Sequence, residues 1–384
     1  MDKKSVFEYI EKNSDKYTQF LYNICSFEAT AYDKEEIDKL ILFIKDFAEK
    51  EGMTCRVTPF NECGNFLTID INSDSKYKGA FFLAHTDTVH KKGSFGSPVV
   101  KIDGEKLIGP GAVDCKGGIA VALLVMKALL DGGYKKHARL VLTSDEEVSN
   151  ILGKEKEFTF FAEESYGFPY AINCEVTEKN QVTVSRKGIL KYEILIKGKG
   201  GHSGIHYFDS VNPILEAANK IIALSKLSSK EAATYSCNII RAGTVENVIP
   251  ESCKFTVDIR YNLLKDLDNI KNKFMEIVNK SFIGGTTAVI TKETLRPPME
   301  KQTETLKLFD KLNKLSIENG FGELTPIESS GGSDSAYTQK AGIISICGMG
   351  PSGYLYHTNK EYVEIPTIKK RAKLISALLI EDNK

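Results

Sequence analysis

His85 and Asp87, in the stretch AHTDTV, stand two positions apart. In an extended segment that spacing puts both side chains on one side, so the carboxylate can accept one imidazole N–H while the other ring nitrogen faces a metal. A solvated polar loop is the plainer alternative. Asp114 lies in GPGAVDCKGG, between glycines that permit tight turns and just before a helix expected from Gly117. An acid held in such a bend is either a metal ligand or a solvated turn residue. Asp145, Glu146 and Glu147 follow the apolar run ARLVLTS. Adjacent carboxylates repel one another unless a cation offsets them, which suggests a metal ligand plus a general base, with an exposed acidic turn as the other reading. Glu175, after AIN, and His357, in GYLYHTNKEYVEI, say little singly. Jointly, two His and three carboxylates satisfy a dinuclear centre, which needs one bridging carboxylate and a His plus a terminal carboxylate on each ion. One glutamate is left over. It can serve as the base for a water between ions about 3.5–4 Å apart.

Three apolar stretches end at these residues. GAFFLAHTDTV, ARLVLTSDEE and AINCEV each run from a strand-like segment into polar residues, which predicts an α/β sheet whose ligands gather beyond the C-terminal edges of its strands. Residues 4–30 and 33–52 carry apolar positions at helical spacing, among them Ile37, Leu40, Ile41, Ile44 and Phe47, and another helix is expected over 117–130. From about residue 188 the character changes: GILKYEILIKGKGGHSG and SCKFTVDIRYNL have strand patterns, accompanied by helices expected over 211–227 and 266–280. These make a smaller α+β unit with its own sheet. The proline-punctuated RPPME at 296–300 has the character of a linker. Beyond it come GIISICGMG and a final helix near 367–379.

The chain has 384 residues, enough for two or three domains at roughly 150 residues each. Lys plus Arg and Asp plus Glu both number 51, so no basic excess points to nucleic acid or a membrane surface as partner. The eight cysteines include no C-x-x-C pair, which argues against zinc fingers, iron–sulfur sites and thioredoxin-type redox motifs. The polar stretch MDKKSVFEYIEKNSDKY lacks signal-peptide features, and the most continuous apolar run, 119–126, is far short of the roughly 20 residues that span a bilayer. A cytoplasmic protein with reduced thiols is expected.

The ordered set LAHTDTV, GPGAVDCKGG, TSDEE, Glu175, GKGGHSG, GTVENVIPE, VDIRY, GGSDSAY and GPSGYLYHTNKEYVE spans nearly the whole chain. It resembles the M20 metallopeptidases, the co-catalytic zinc hydrolases that include glutamate carboxypeptidase, acetylornithine deacetylase and succinyl-diaminopimelate desuccinylase. The resemblance implies an α/β, mixed-sheet catalytic domain of the zinc-peptidase type over 1–187 and 298–384, interrupted by an inserted smaller α+β lid/dimerisation domain over 188–297. It implies two divalent ions per subunit, zinc before cobalt or manganese. Asp114 is then the bridging ligand, His85 and Glu175 complete one site, and Glu147 and His357 the other. Glu146 takes the role of general base and acid, and Asp87 that of orienter of His85. In dimeric members the GGHSG histidine, here His202, reaches the neighbouring subunit's active site and helps hold the oxyanion. Asn247 and Arg260 match lid groups that bind the carboxylate end of the substrate.

Glu rather than Asp at position 175 is similar to members that cleave from the carboxyl end or remove acyl groups. The wording of GSFGSPVVKIDGEKLIGPGAVDCKGG and GGSDSAY resembles glutamate carboxypeptidase most, so the expected activity is release of a C-terminal amino acid from a peptide or an N-acyl amino acid. The nearest rival is an N-acyl amino acid deacylase of the acetylornithine or desuccinylase type. A distant one is a catalytically silent binding protein on the same scaffold. Where the resembled subfamily tends to have a small-residue turn, this chain has Ser185, Arg186, Lys187 and Gly188; the two cations either favour an acidic substrate or form a solvated turn. Cys115 and Cys174 are assigned packing roles beside Asp114 and Glu175. His90, His137 and His206 are assigned no part in the site, with His137 expected on a basic surface turn, KKHAR, and His206 in a loop.

Overall fold

The computed structural model describes residues 1–153 and 155–383. Two compact units divide the chain, one of Met1–Ser185, Lys301–Ser329 and Ser333–Lys384, the other of Arg186–Glu300 and Ser330–Gly332.

In the first unit a six-stranded sheet has the order Thr54–Thr58, Phe66–Ile71, His137–Thr143, Lys78–His85, Tyr170–Asn173, Ile344–Ile346. The first two pairings are antiparallel and the remaining ones parallel, so the sheet is mixed. Its side chains alternate between two cores. Leu67, Ile69, Phe82, Ala84, Leu140, Leu142 and Ile172 enter the larger, and Phe66, Phe81, Leu83, Val141 and Ala171 the smaller. Because both faces are covered, these strands are unbroken apolar runs in the sequence rather than alternating ones. The larger core is closed by helices Lys3–Cys25, Lys34–Lys50, Lys116–Asp131 and Ile365–Glu381. Helix Lys116–Asp131 is buried continuously over 116–126, which is why it is apolar all round. The parallel strands share a direction, and His85 stands level with Thr143 and Leu83 with Asn173. Their C-terminal ends therefore open along one edge, where the polar residues follow.

Two expectations are corrected in this unit. The first helix stops at Cys25 rather than at residue 30, because Ser26 turns its hydroxyl and its N–H back onto the carbonyl of Asn23 and frees Thr30 to bridge Thr88. His137 is no surface turn: it is buried, begins a strand, and sits 2.6 Å from Asp70, which also binds Arg139 through two nitrogens.

The second unit carries a four-stranded antiparallel sheet in the order Ala233–Ala242, Ser252–Tyr261, Gly188–Lys197, Thr287–Arg296. Leu190, Tyr192, Ile194, Ile196, Phe255, Val257 and Ile259 form its apolar face and pack with helices Pro213–Ser225 and Leu267–Asn279. Tyr192 stacks on Phe274 with ring centroids 4.0 Å apart. Lys220, wholly buried, joins the two helices: its ammonium pairs with Glu216 at 2.8 Å and donates to the carbonyls of Val278 and Lys280. The other Glu216 oxygen accepts the N–H groups of Phe282 and Ile283. No described helix in either unit is long and apolar enough to cross a membrane.

Candidate metal centre

Three of the parallel strands of the first unit deliver acids or histidine to the same edge. Strand Lys78–His85 ends on His85, and the N–H and hydroxyl of Thr86 both donate to the Thr143 carbonyl, fixing the exit of the chain. Strand His137–Thr143 continues into Asp145 and a single turn of 3-10 helix, Glu146–Val148. That turn is held from two sides. Asp145 accepts the N–H groups of Leu152 and Gly153, while the Thr143 hydroxyl and the Asn150 amide donate to buried Asp334. Strand Tyr170–Asn173 leads to Glu175, whose main chain is gripped by two glycines. A Cβ on Gly118 would lie 1.9 Å from the Cys174 carbonyl oxygen, and one on Gly350 2.7 Å from that of Glu175. Any larger residue at 118 would push the helix off the strand end. His357 sits in a left-handed backbone conformation, φ 62°, two residues after Leu355 at φ 59°, a cost that over-determined functional segments commonly carry.

The side chains converge on Asp114. Its Oδ1 is 3.2 Å from His85 Nε2 and its Oδ2 3.4 Å from His357 Nε2. His85 Nε2 is also 3.8 Å from Glu175 Oε1, and His357 Nε2 3.2 Å from Glu147 Oε2. Two half-sites therefore share one carboxylate, each with its own imidazole and its own second acid. His85 Nδ1 lies 3.0 Å from the Asp87 carbonyl oxygen and 3.4 Å from its carboxylate. Both are acceptors, so Nδ1 carries a hydrogen, while Nε2 faces Asp114, donating to it when the ring is protonated and offering its lone pair to an ion when it is not.

Burial works against charge on Asp114, yet hydrogen bonds from His357 and His85 hold its carboxyl below the usual carboxylate range. Glu147 is pushed the other way, up to about 8, by burial and by the negative charge of Asp114. His357, accepted by Asp114 and Glu147, is raised to about 10. So much acid around two rings wants cation, and protons supply it in the metal-free state.

Residues 81–381 match peptidase family M20/M25/M40. The chain belongs to that family. This M20 chain is 27% identical over 345 residues to carboxypeptidase G2 of Pseudomonas sp. (strain RS-16), covering 87% of this chain and 82% of that protein. It is 26% identical over 289 residues to succinyl-diaminopimelate desuccinylase of Rickettsia akari (strain Hartford), covering 69% and 74%. Its fold is that of aminopeptidase PepT from Bacillus cereus ATCC 10987, with a TM-score of 0.77 at 16% identity over 97% of this chain and 99% of that one. It is likewise that of an M20 metallo-carboxypeptidase, Sso-CP2, from Sulfolobus solfataricus, with a TM-score of 0.76 at 16% identity over 94% and 98%.

The donors fit the divalent metal on which M20 enzymes depend. Ligand atoms of His85, Asp114 and Glu147 lie within 4.8 Å of one another, as do those of His85, Cys115 and Glu175. Imidazole with carboxylate suits zinc, cobalt and manganese alike. The Cys115 thiol donates to the Cys174 carbonyl at 3.1 Å, which makes it a packing and positioning group rather than a fourth donor.

Glu146 reaches this cluster through its main chain, by an N–H directed at Asp87 Oδ1 (3.3 Å), and its charge acts on neighbouring Glu147. His202, Asn247 and Arg260 belong to the second unit. The exposed His202 ring accepts the N–H groups of Gly204 and Ile205 on Nδ1, which leaves Nε2 as an outward-facing donor, and the Asn247 carbonyl accepts the N–H of Ser203. Arg260 spends Nε and Nη2 on the two oxygens of Asp258 and Nη1 on the Ser330 carbonyl. Arg186 is buried and bonds the Gly332 carbonyl, so at least one of the two cations at 186–187 is no solvated turn residue.

Sequence reasoning missed Glu361 and set His90 aside. Glu361 is buried and binds the loop that carries Asp114, and His90 binds Glu361. The only signal was the position of Glu361, four residues after His357, and residue type alone attaches no chemistry to that spacing.

Proposed function

We propose that this M20 chain is a dinuclear metallohydrolase that cleaves an amide bond to release a C-terminal amino acid from a peptide or an N-acyl amino acid. The observation that carries the proposal is the Asp114 carboxylate, with one oxygen on His85 and the other on His357. His85, Asp114 and Glu175 would hold one ion, and His357, Asp114 and Glu147 the other. Two ions held there would polarise the scissile carbonyl and lower the pKa of the attacking water, so that it can give up a proton near neutral pH. Glu146 receives the proton of that water and returns it to the leaving amine. Asp87 orients His85. His202, with Nε2 free to donate, stabilises the oxyanion, and Asn247 and Arg260 take the substrate carboxylate, for which Arg260 exchanges its Asp258 partner.

The second unit serves as lid and dimerisation domain. Ile239 and Ile240 are exposed on its edge strand Ala233–Ala242, and Ile214, Leu215 and Ile222 on helix Pro213–Ser225, an apolar surface that supports pairing with a second copy. None of the eight cysteines forms a disulfide, which supports a reducing, cytoplasmic compartment.

Carboxypeptidase activity is favoured by Glu175 and by the likeness to carboxypeptidase G2; the likeness to desuccinylases favours N-acyl amino acid deacylation as the second reading. A panel of folylglutamate and dipeptides against acetyl and succinyl amino acids, with zinc or cobalt added, separates them. Turnover of the acylated amino acids alone overturns the carboxypeptidase reading.

A further inference from the structure

His90 and Glu361 lie outside the set of candidate ligands, yet both are almost completely buried, at 6% and 1% exposure. Glu361 Oε1 accepts the N–H groups of Val113 at 2.9 Å and of Asp114 itself at 3.0 Å. Its Oε2 accepts that of Gly111 at 3.3 Å and lies 2.6 Å from His90 Nε2. Its main-chain carbonyl accepts the N–H of Gly109 at 3.2 Å. One residue thus binds the loop at four points between 109 and 114. The His90 ring is fixed in turn by an edge-on contact with Phe95, with centroids 4.9 Å apart.

We infer that Glu361, braced by His90, is a positioning residue that aims the Asp114 carboxylate at both half-sites. A buried acid that merely fills a glycine turn would bind the turn anywhere. This one binds the peptide N–H of the bridging residue and of its predecessor, so displacing the Glu361 carboxylate displaces the Asp114 main chain. The same short segment also carries His357, whose Nε2 faces Asp114 Oδ2 at 3.4 Å. Segment 357–361 therefore grips Asp114 twice, by the side chain through His357 and by the main chain through Glu361. The spacing between the candidate bridging acid and the candidate histidine ligand is set within one stretch of chain. Outer partners of this kind orient ligands and tune metal affinity. The inference rests on the dinuclear reading proposed above.

The test compares metal-free wild-type protein with Glu361→Gln, His90→Leu and His90→Gln, measuring zinc affinity by chelator competition, the visible absorption of the cobalt form, and the thermal midpoint without metal. Glu361→Gln and His90→Leu are expected to lose on the order of 10- to 100-fold in zinc affinity and to shift the cobalt bands. His90→Gln, whose amide still donates to Glu361, is expected to keep near-wild-type affinity. The two His90 variants carry the test if Glu361→Gln does not fold. A His90→Leu protein with a lowered midpoint but wild-type zinc affinity and cobalt spectrum would mark a purely structural contact and overturn the inference alone. Wild-type protein that takes up no metal overturns both the inference and the reading beneath it.

Discussion

Asp87 is tied to Glu147 through the main chain: its Oδ2 accepts the Glu147 N–H at 3.0 Å. Its Oδ1 faces the Glu146 N–H at 3.3 Å and His85 Nδ1 at 3.4 Å. One carboxylate thus fixes the turn bearing the proposed base and a proposed ligand, and touches the ring of another. Asp87→Asn places an amide N–H against one of these donors. It is expected to lower metal affinity or kcat/KM by about 10- to 100-fold, read by metal titration and steady-state kinetics. Unchanged values would confine Asp87 to a role in folding.

Glu146 offers a cleaner separation of binding from chemistry. Glu146→Gln keeps the side-chain shape and removes the proton acceptor, so turnover should fall by roughly 10²- to 10⁴-fold while metal content stays at the wild-type level. Metal analysis beside kinetics checks both halves. Full activity in the variant would remove Glu146 from the mechanism.

Stability against pH above about 4.5 follows from groups displaced upward, His357 and Glu147 among them. The folded His357, at about 10 against an ordinary 6.5, holds its proton more tightly than the unfolded chain, so its stabilisation is complete below 6.5 and is lost as pH rises through about 10. Glu147, at about 8 against 4.5, acts in the same direction, because between those values the folded form retains a proton that the unfolded chain has released. The thermal midpoint of the metal-free protein should therefore fall as pH climbs from about 4.5 to about 10. Metal binding needs the deprotonated forms, so the midpoint gain on adding zinc should grow over the same range. A metal-free midpoint that rises with pH would contradict both assignments.

In the second unit, two ion pairs of similar length, 2.8 and 3.0 Å, should differ greatly in worth. Lys220–Glu216 is about 1% exposed on both sides, whereas the side chains of Lys254 and Glu193 are 46% and 30% exposed. Lys220→Met leaves a buried carboxylate uncompensated and should cost about 3–5 kcal/mol. Lys254→Met should cost less than about 1 kcal/mol. Urea unfolding of the full chain measures the difference.

What could be foreseen depended on whether a contact was made by side chains or by the backbone. The runs FFLA, LVL and AIN were legible as strands because both faces of their sheet are covered, and His85, Asp145–Glu147 and Glu175 stand at their ends. Strands Ala233–Ala242 and Thr287–Arg296 escaped notice. Both are edge strands, and each breaks its alternation at a register shift, between Ser236 and Ile239 and between Ile290 and Lys292. His137 looked like part of a basic turn because its partner Asp70 comes from a strand far off in sequence. Asp114 and His357 could be singled out by residue type and by resemblance, but Glu361 could not, since most of what it binds is peptide N–H, which every non-proline residue offers.

The insertion of the second unit between residues 185 and 301 also orders events in time. As the chain is made from its N-terminus, His85, Asp114, Glu147 and Glu175 all leave the ribosome before the second unit is complete, and His357 leaves only after it. A nascent chain thus carries four acidic or imidazole donors that lack their last companion for the whole time the insert is being synthesised. On the dinuclear reading proposed above, capture of the full metal complement becomes one of the final acts of maturation.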